Sequence, residues 1–285
     1  MNAFKQQCID LRRRDYTLPE IVRITGRPKT SVHFHIQNLP LSESKRRSIS
    51  ESSARRAREI ALKRRGVSAR LFKKFTRWDP ALVCLVSHLI FDGEIKRGGC
   101  IYNNRNMTLL NRVENCMKII YPLEPKRYAN KFTGVRRISY FNVSLGDYMK
   151  TKSIQLLQEI AFSPKQLKRE FVRSFFDDEG CMDFRPKRNL RRVRGYQKNV
   201  AILYLIQRLL ADFYIDSRII LPNEVVITGK ENLLKFQNEI GFSSGVRING
   251  KRSNSVWKQS LEKRLILRKA IASYKPIGGN GVHRG

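Results

Sequence analysis

SPKQLKREFVRSFFDDEG, residues 163–180, decides how the chain is read. Ser163 suits an N-cap, and Pro164 suits the first helical position, where a missing N–H costs nothing. Leu167, Phe171, Val172, Phe175 and Phe176 recur at helical spacing and make one apolar face. The helix runs into three acids, Asp177, Asp178 and Glu179, and Gly180 stands where a left-handed turn would stop it. Carboxylates there meet the negative end of the helix dipole. One such stretch alone is most simply a solvated acidic turn.

A second copy changes that reading. Residues 79–93, DPALVCLVSHLIFDG, carry an N-cap Asp79, Pro80 at the first position, an apolar body, an acid and then Gly93. Aligning Gly93 with Gly180 puts Asp92 on Glu179 and Ser87 on Ser174, each at the same offset (180 − 93 = 87 and 174 − 87 = 87). Val83, Leu85, Val86, Leu89 and Ile90 make this helix apolar almost all round, as expected of a helix buried between two halves of a domain. Small residues at Ser87 and Ser174, with Gly93 and Gly180, would let the two backbones approach, so Asp92 and Glu179 should meet at one end.

The two stretches, LVSHLIFDG (residues 85–93) and VRSFFDDEG (residues 172–180), resemble the paired motifs of LAGLIDADG homing endonucleases. NVAILYLIQRLLADFYIDSRI and GKENLLKFQNEIGF are similar to the flanking segments of a repeat in that family, so the resemblance spans roughly residues 78–274. It departs at Ser87 and Ser174, where the family often has glycine. It implies an α+β fold: two pseudo-symmetric αββαββα repeats forming a DNA-binding saddle. It also implies a monomer that cuts both strands of a long, non-palindromic DNA site, within intron or intein mobility. Asp92 and Glu179 would be the catalytic and metal-binding pair.

Composition is compatible with this. Lys and Arg number 57 against 24 acids, for a formal net charge of +33, which points to a polyanionic partner. Double-stranded DNA is the first candidate and intron RNA the second. No apolar run of 18 residues and no secretory signal is present, so the expectation is an intracellular protein, in cytoplasm, nucleoid or organelle matrix, neither secreted nor membrane-bound. The five cysteines are odd in number and form no CxxC pair, which supports neither a disulfide framework nor a zinc site. The four histidines are scattered; His88, on an apolar helix, reads as a satisfied interface residue.

Taken in order, residues 1–41 resemble the small all-α helix-turn-helix domain of resolvases. Thr17 and Glu20 form a capping box, Gly26 makes a turn, and Pro28 opens a third helix. Val32 and Ile36 face inward; Lys29, Thr30, Ser31, His33, Phe34 and Gln37 face outward, a set suited to phosphates and base edges. Residues 42–77 are a basic linker, flexible in its Ser-rich opening and helical in part. Residues 78–162 and 163–274 are the two repeats, the second with an added helix over 254–274, and 275–285 are a disordered tail. In the first repeat, a hairpin turns about Gly98 and Gly99, strands cover 127–132 and 136–143, and a helix covers 148–162.

The strands carry the nucleic-acid signal. Period-2 alternation puts Arg192, Arg194, Tyr196 and Lys198 on one face, and Asp183, Arg185 and Lys187 on one face of the neighbouring strand. In the first repeat Arg136 and Tyr140 share a face near Lys126 and Lys131, with Lys96 and Arg97 at the hairpin. Exposed basic and aromatic side chains on a sheet suit a phosphate-lined groove.

Two neighbouring carboxylates repel, and a divalent cation removes the penalty; oxygen ligands without His or Cys favour Mg²⁺. The family resemblance implies an assisting basic residue, for which Lys96, Lys150, Lys152, Lys198 and Lys251 compete. Asp177, one turn away, reads as a capping group. Two alternatives keep the same groove: a non-cleaving LAGLIDADG and helix-turn-helix transcription regulator, and an intron RNA maturase. A looser nuclease pattern, Asp79 with Glu94-Ile95-Lys96, leaves the second motif unexplained.

Overall fold

Capping and chain direction set the elements. A computed structural model describes residues 3–68, 71–250 and 257–274. It divides into two units, Met1–Arg70 and Leu71–Gly285.

The first unit holds α1 (Ala3–Arg13), α2 (Leu18–Thr25), α3 (Lys29–Ile36) and α4 (Glu43–Ser68). Cys8, Ile21, Val32 and Ile36 form its small core, against which Phe4, Leu11, Leu18 and Val22 pack. The Glu20 carboxylate accepts from the Thr17 backbone N–H at 2.6 Å and its hydroxyl at 2.7 Å, which fixes the start of α2. Gly26, at φ +66°, ends it. The Ser-rich stretch expected to be flexible is instead the first part of the 26-residue α4. Its start is tied down: the Ser42 hydroxyl accepts from Lys45 N–H, and Ser42 N–H donates to Asp15. No Gly or Pro interrupts the sequence until Gly66, so helix propensity wins over low apolarity.

The second unit contains two copies of one plan. The first is α5 (Pro80–Phe91), β1 (Gly93–Lys96), β2 (Gly99–Asn104), α6 (Met107–Ile120), β3 (Lys126–Ala129), β4 (Arg136–Phe141) and α7 (Val143–Glu159). The second is α8 (Lys165–Glu179), β5 (Gly180–Arg185), β6 (Leu190–Tyr196), α9 (Val200–Ala211), β7 (Arg218–Ile220), β8 (Glu224–Thr228) and α10 (Lys230–Glu239), followed by α11 (Lys263–Ala272). Each antiparallel sheet has the same order, β1-β2-β4-β3 and β5-β6-β8-β7. This is the α+β arrangement of two αββαββα repeats expected from the sequence.

One apolar core joins the repeats, and α5 and α8 pack together inside it: the Phe91 ring meets those of Phe171 and Phe175 at 5.3 and 5.2 Å. The segment before α5 belongs to this unit, since Phe72, Phe75 and Trp78 pack on the core and Lys73 N–H donates to Ile120 O.

Several boundaries differ from the sequence reading. Ser163 does not cap α8; its hydroxyl donates to Glu159 O, and Pro164 stands at the cap. The helix expected from residue 148 starts at Val143, because the Asn142 side chain accepts from Leu145 N–H and caps it there. The last helix is shorter than 254–274: residues 257–262 are not helical, and Glu262 bridges to Arg247. Residues 254–256, the expected tail and Lys251 lie outside the described residues.

Gly180 is extended (φ −95°, ψ 157°), not left-handed, so it is needed for space instead. An added Cβ would lie 2.5 Å from Phe176 O, and at Gly93 one would lie 2.5 Å from Leu89 Cα. Both strands thus leave directly against the last turn of their helices. Gly93→Ala and Gly180→Ala should each destabilise the second unit by about 1–3 kcal/mol in urea unfolding followed by circular dichroism. Gly98→Ala, where an added Cβ meets nothing within 4 Å, should stay within about 0.5 kcal/mol of the parent.

Candidate active site at the helix ends

The acids lie where the two buried helices stop. Asp92 caps α5, its N–H donating to His88 O at 3.1 Å, and its carboxylate accepts from Asn104 Nδ2 at 2.8 Å. Glu179 is the last residue of α8. Asp92, Asp178 and Glu179 line one cavity of about 780 Å³, together with Asn104, Arg194 and Lys263. Burial, then the Asp178 charge, pushes the Asp92 pKa up to about 7. Burial, then Asp92 and Asp178, pushes Glu179 up to about 7 as well. Each carboxylate therefore feels the others through little solvent.

The two acids between Phe176 and Glu179 do different work. Asp177 is fully buried; it accepts from Ser243 N–H at 2.9 Å and from Arg112 Nη1 at 3.4 Å. It anchors backbone, as its capping reading implied. Asp178 faces the other way. His88 Nδ1 donates to its Oδ2 at 2.8 Å and the Tyr102 hydroxyl donates to its Oδ1 at 2.6 Å, with His88 and Asp178 side chains wholly buried. Burial opposes charge on His88, but the Asp178 carboxylate, with the Cys84 sulfur beside the ring, outweighs it and raises the imidazole pKa to about 10.

Lys263, from α11, brings a cation to the same end. Its Nζ donates to Phe176 O at 3.1 Å and to Asp177 O at 2.6 Å. These carbonyls lie in the last turn of α8, where the dipole is negative. Burial lowers the Lys263 pKa, and the surrounding acids offset part of that shift. None of the described lysines named from sequence has this position; Lys251 lies outside the described residues. Lys96 is exposed and pairs with Glu94 at 2.7 Å, Lys150 and Lys198 are exposed, and Lys152 bonds Gln155 over the Trp78 ring.

The expected groove residues divide by register. On the second sheet Met182, Phe184, Val193, Val225 and Ile227 face the core, and Asp183, Arg185, Arg192, Arg194 and Tyr196 share the opposite face, as alternation predicts. Asp183 is not free on that face, because its carboxylate accepts from Arg185, Arg192 and Arg194. Arg194 also bonds Glu224. Lys187 is exposed in the turn between β5 and β6, and Lys198 just beyond β6.

On the first sheet the expectation fails at Tyr140. It is 3% exposed, stacked edge-on against Tyr121, and shares the core face with Cys100, Tyr102 and Ile138. The open face keeps the expected Lys126, but with Tyr128, Arg137 and Phe141 in place of Arg136 and Tyr140, a displacement of one residue that exchanges the two faces of β4. Arg136 lies on the core side but at the strand's end, where it is exposed; Lys131 and Arg97 are exposed in loops. In the first unit Lys29, Thr30, Ser31, His33 and Gln37 are all exposed on or just after α3, with Phe34 70% exposed among them. Ser87 and Ser174 are fully buried on α5 and α8.

Asn104, Asp178 and Lys263 were missed by the sequence reading. Asp178 had a signal: it continues the buried stripe Phe171, Ser174, Phe175 at helical spacing, an odd place for a solvated acid. Lys263 had none, being 84 residues beyond Glu179 (263 − 179 = 84).

Residues 166–241 match the sequence model of the LAGLIDADG-like domain. No curated protein sequence matches the chain. Among solved structures, I-DmoI in complex with DNA and Mn is 17% identical, with 57% of this chain and 97% of that chain covered and a TM-score of 0.44. The N-terminal LAGLIDADG domain of DUF199/WhiA is 18% identical, with coverage of 60% and 88% and a TM-score of 0.45. Full-length DUF199/WhiA from Thermatoga maritima is 17% identical, with coverage of 73% and 64% and a TM-score of 0.49. The residues that match the LAGLIDADG-like model fall in the second repeat, and the first repeat has the same order of elements and of strands.

Proposed function

We propose that the chain is a site-specific homing endonuclease that hydrolyses both strands of a long, non-palindromic DNA site with Mg²⁺, acting as a monomer in intron or intein mobility. The observation that carries this is the pair Asp92 and Glu179, held at two adjacent helix ends in one cavity with their pKa values raised.

The donor set fits a hard cation. Asp92 and Glu179 offer carboxylate oxygens; the Cys181 thiol on the cavity wall is pushed up by burial and stays protonated, so it is no soft ligand. Among the described residues no group of three or more His, Cys, Asp or Glu surrounds one point. Two carboxylates with water and phosphate oxygens completing the shell is a Mg²⁺ arrangement. Bound there, the ion would lower the pKa of the attacking water and neutralise charge on the leaving oxygen.

The chain's own groups supply the rest. Asn104 fixes the Asp92 carboxylate, and Lys263 holds a positive charge at the end of α8. Arg185, Arg192 and Arg194 are pre-oriented by Asp183 for phosphates, and Lys126 and Arg137, beside Tyr128 and Phe141, serve the other sheet. Ion-paired side chains lose less freedom on binding than free ones. The exposed face of α3 reads a further stretch of DNA in the manner of a helix-turn-helix.

Three outcomes are expected. Asp92→Asn and Glu179→Gln should each cut plasmid linearisation in Mg²⁺ by more than about 100-fold, while gel-shift affinity in Ca²⁺ stays within about threefold. Wild-type cutting by both variants would remove these acids from the chemistry. DNA affinity should fall about 10³-fold or more between 50 and 200 mM salt, measured by fluorescence anisotropy, given a basic groove contacting six or more phosphates. Residues 71–285 alone should keep cutting but bind about 10²-fold more weakly, because the first unit acts through effective concentration; loss of cutting at saturating protein would contradict this.

A further inference from the structure

The 87-residue offset relates positions across the helix pair, and one position breaks the relation. Phe91 corresponds to Asp178 (178 − 91 = 87), and His88 to Phe175 (175 − 88 = 87). Across the interface, Phe91 meets Phe175 edge-to-face at 5.2 Å. The symmetry mate of that contact is His88 with Asp178, bonded at 2.8 Å and wholly buried. One slot is thus filled by two phenyl rings and its twin by an ion pair.

The neighbouring strand is adapted to match. Gly93 pairs with Tyr102 in the first sheet, and Gly180 pairs with Gly195 at the same place in the second. At Gly195 an added Cβ would lie 2.3 Å from Phe175 Cε1, so the large ring leaves no room for a side chain. In the first repeat the smaller imidazole leaves that room, and the Tyr102 ring stands edge-on to it at 5.7 Å. Its hydroxyl then reaches Asp178. Stability does not call for this arrangement, since an aromatic pair already fills the twin slot and a buried ion pair is no more stabilising than well-packed apolar groups.

The consequence falls on the acid centre. Asp178 precedes Glu179 and lines the same cavity. Each of its oxygens is held by one hydrogen bond, Oδ1 from Tyr102 at 2.6 Å and Oδ2 from His88 at 2.8 Å, which fix the direction of the carboxylate. We propose that His88 and Tyr102 are positioning residues that tie off Asp178 and so restrict the cation ligands of the centre to Asp92 and Glu179. Two carboxylates leave most of the shell to water and phosphate, which suits Mg²⁺; a third would favour larger cations that accept more protein oxygens. The network sets which class of cation the centre takes. This inference rests on the metal-dependent reading above.

The test uses the full chain and terbium(III) ions as probe, with lifetimes under direct excitation in H₂O and D₂O counting bound waters. Tyr102→Phe should bind terbium at least about threefold more tightly than the parent and with about one water fewer, as Asp178 swings in. Asp178→Asn should stay within about threefold of the parent, whereas Asp92→Asn and Glu179→Gln should each weaken binding at least about tenfold. Weakening by Asp178→Asn as large as that by Asp92→Asn would make Asp178 a ligand and overturn the proposal. Unchanged affinity and hydration in Tyr102→Phe would also overturn it. Terbium binding by the parent that neither Asp92→Asn nor Glu179→Gln weakens would instead defeat the metal-site reading, and the inference with it.

Discussion

The acid centre depends on the close packing of α5 against α8. Nine of the twelve residues of α5 are buried, so that helix has no solvent face and can exist only inside the core. Its partner α8 supplies Phe171, Val172, Phe175 and Phe176 to the same core. At Gly93 and Gly180 the chain turns into a strand with no intervening loop, and the missing Cβ is what allows it. The last side chains of both helices therefore have nowhere to go but the shared end. Carboxylates, helix dipoles and carbonyls of one sign are collected there by packing, against their own electrostatics.

That unfavourable concentration of negative charge is partly offset within the protein. Lys263 caps the carbonyls of α8, and His88 balances Asp178. Arg112 on α6 donates to Asp177, Glu170 and Ser243, so a first-repeat side chain ties down the second repeat. A buried charge left without its partner is strongly destabilising, whereas the intact pair contributes little net stability. These groups thus act chiefly to fix one arrangement of the two repeats. What they leave uncompensated is the pair Asp92 and Glu179, each raised to about 7.

The second sheet places opposite charge next to this centre, since Arg185 and Arg194 line the same cavity. The chain carries +33 formal charges, yet the arginines of the second sheet are not free to spread: Asp183 and Glu224 hold them. On the first sheet the corresponding face mixes Lys126 and Arg137 with Tyr128 and Phe141, and Lys126 lies over the Phe141 ring at 5.6 Å. One sheet offers oriented guanidinium groups and the other offers rings with cations, so the two halves present different chemistry on a shared scaffold.

The sequence by itself determined the repeat. Glycine, acid and small residue recurring at one offset can be read without coordinates, because each answers to a local rule of helix ending, strand entry or close approach. The elements between them followed from capping and periodicity, with errors at ends set by single side chains such as Asn142. Faces of short strands were less legible. β4 has six residues with an arginine and an aromatic ring on each side of the alternation, Arg136 and Tyr140 on one and Arg137 and Phe141 on the other, so the pattern tolerates either face, and only pairing with β2 decided that Tyr140 points inward. The roles of Asp178 and Lys263 were decided entirely in three dimensions. An acid's task depends on which donors the packing brings to it: His88 on α5 and Tyr102 on β2 reach Asp178 from the other repeat, and Lys263 on α11 reaches the carbonyls beside it.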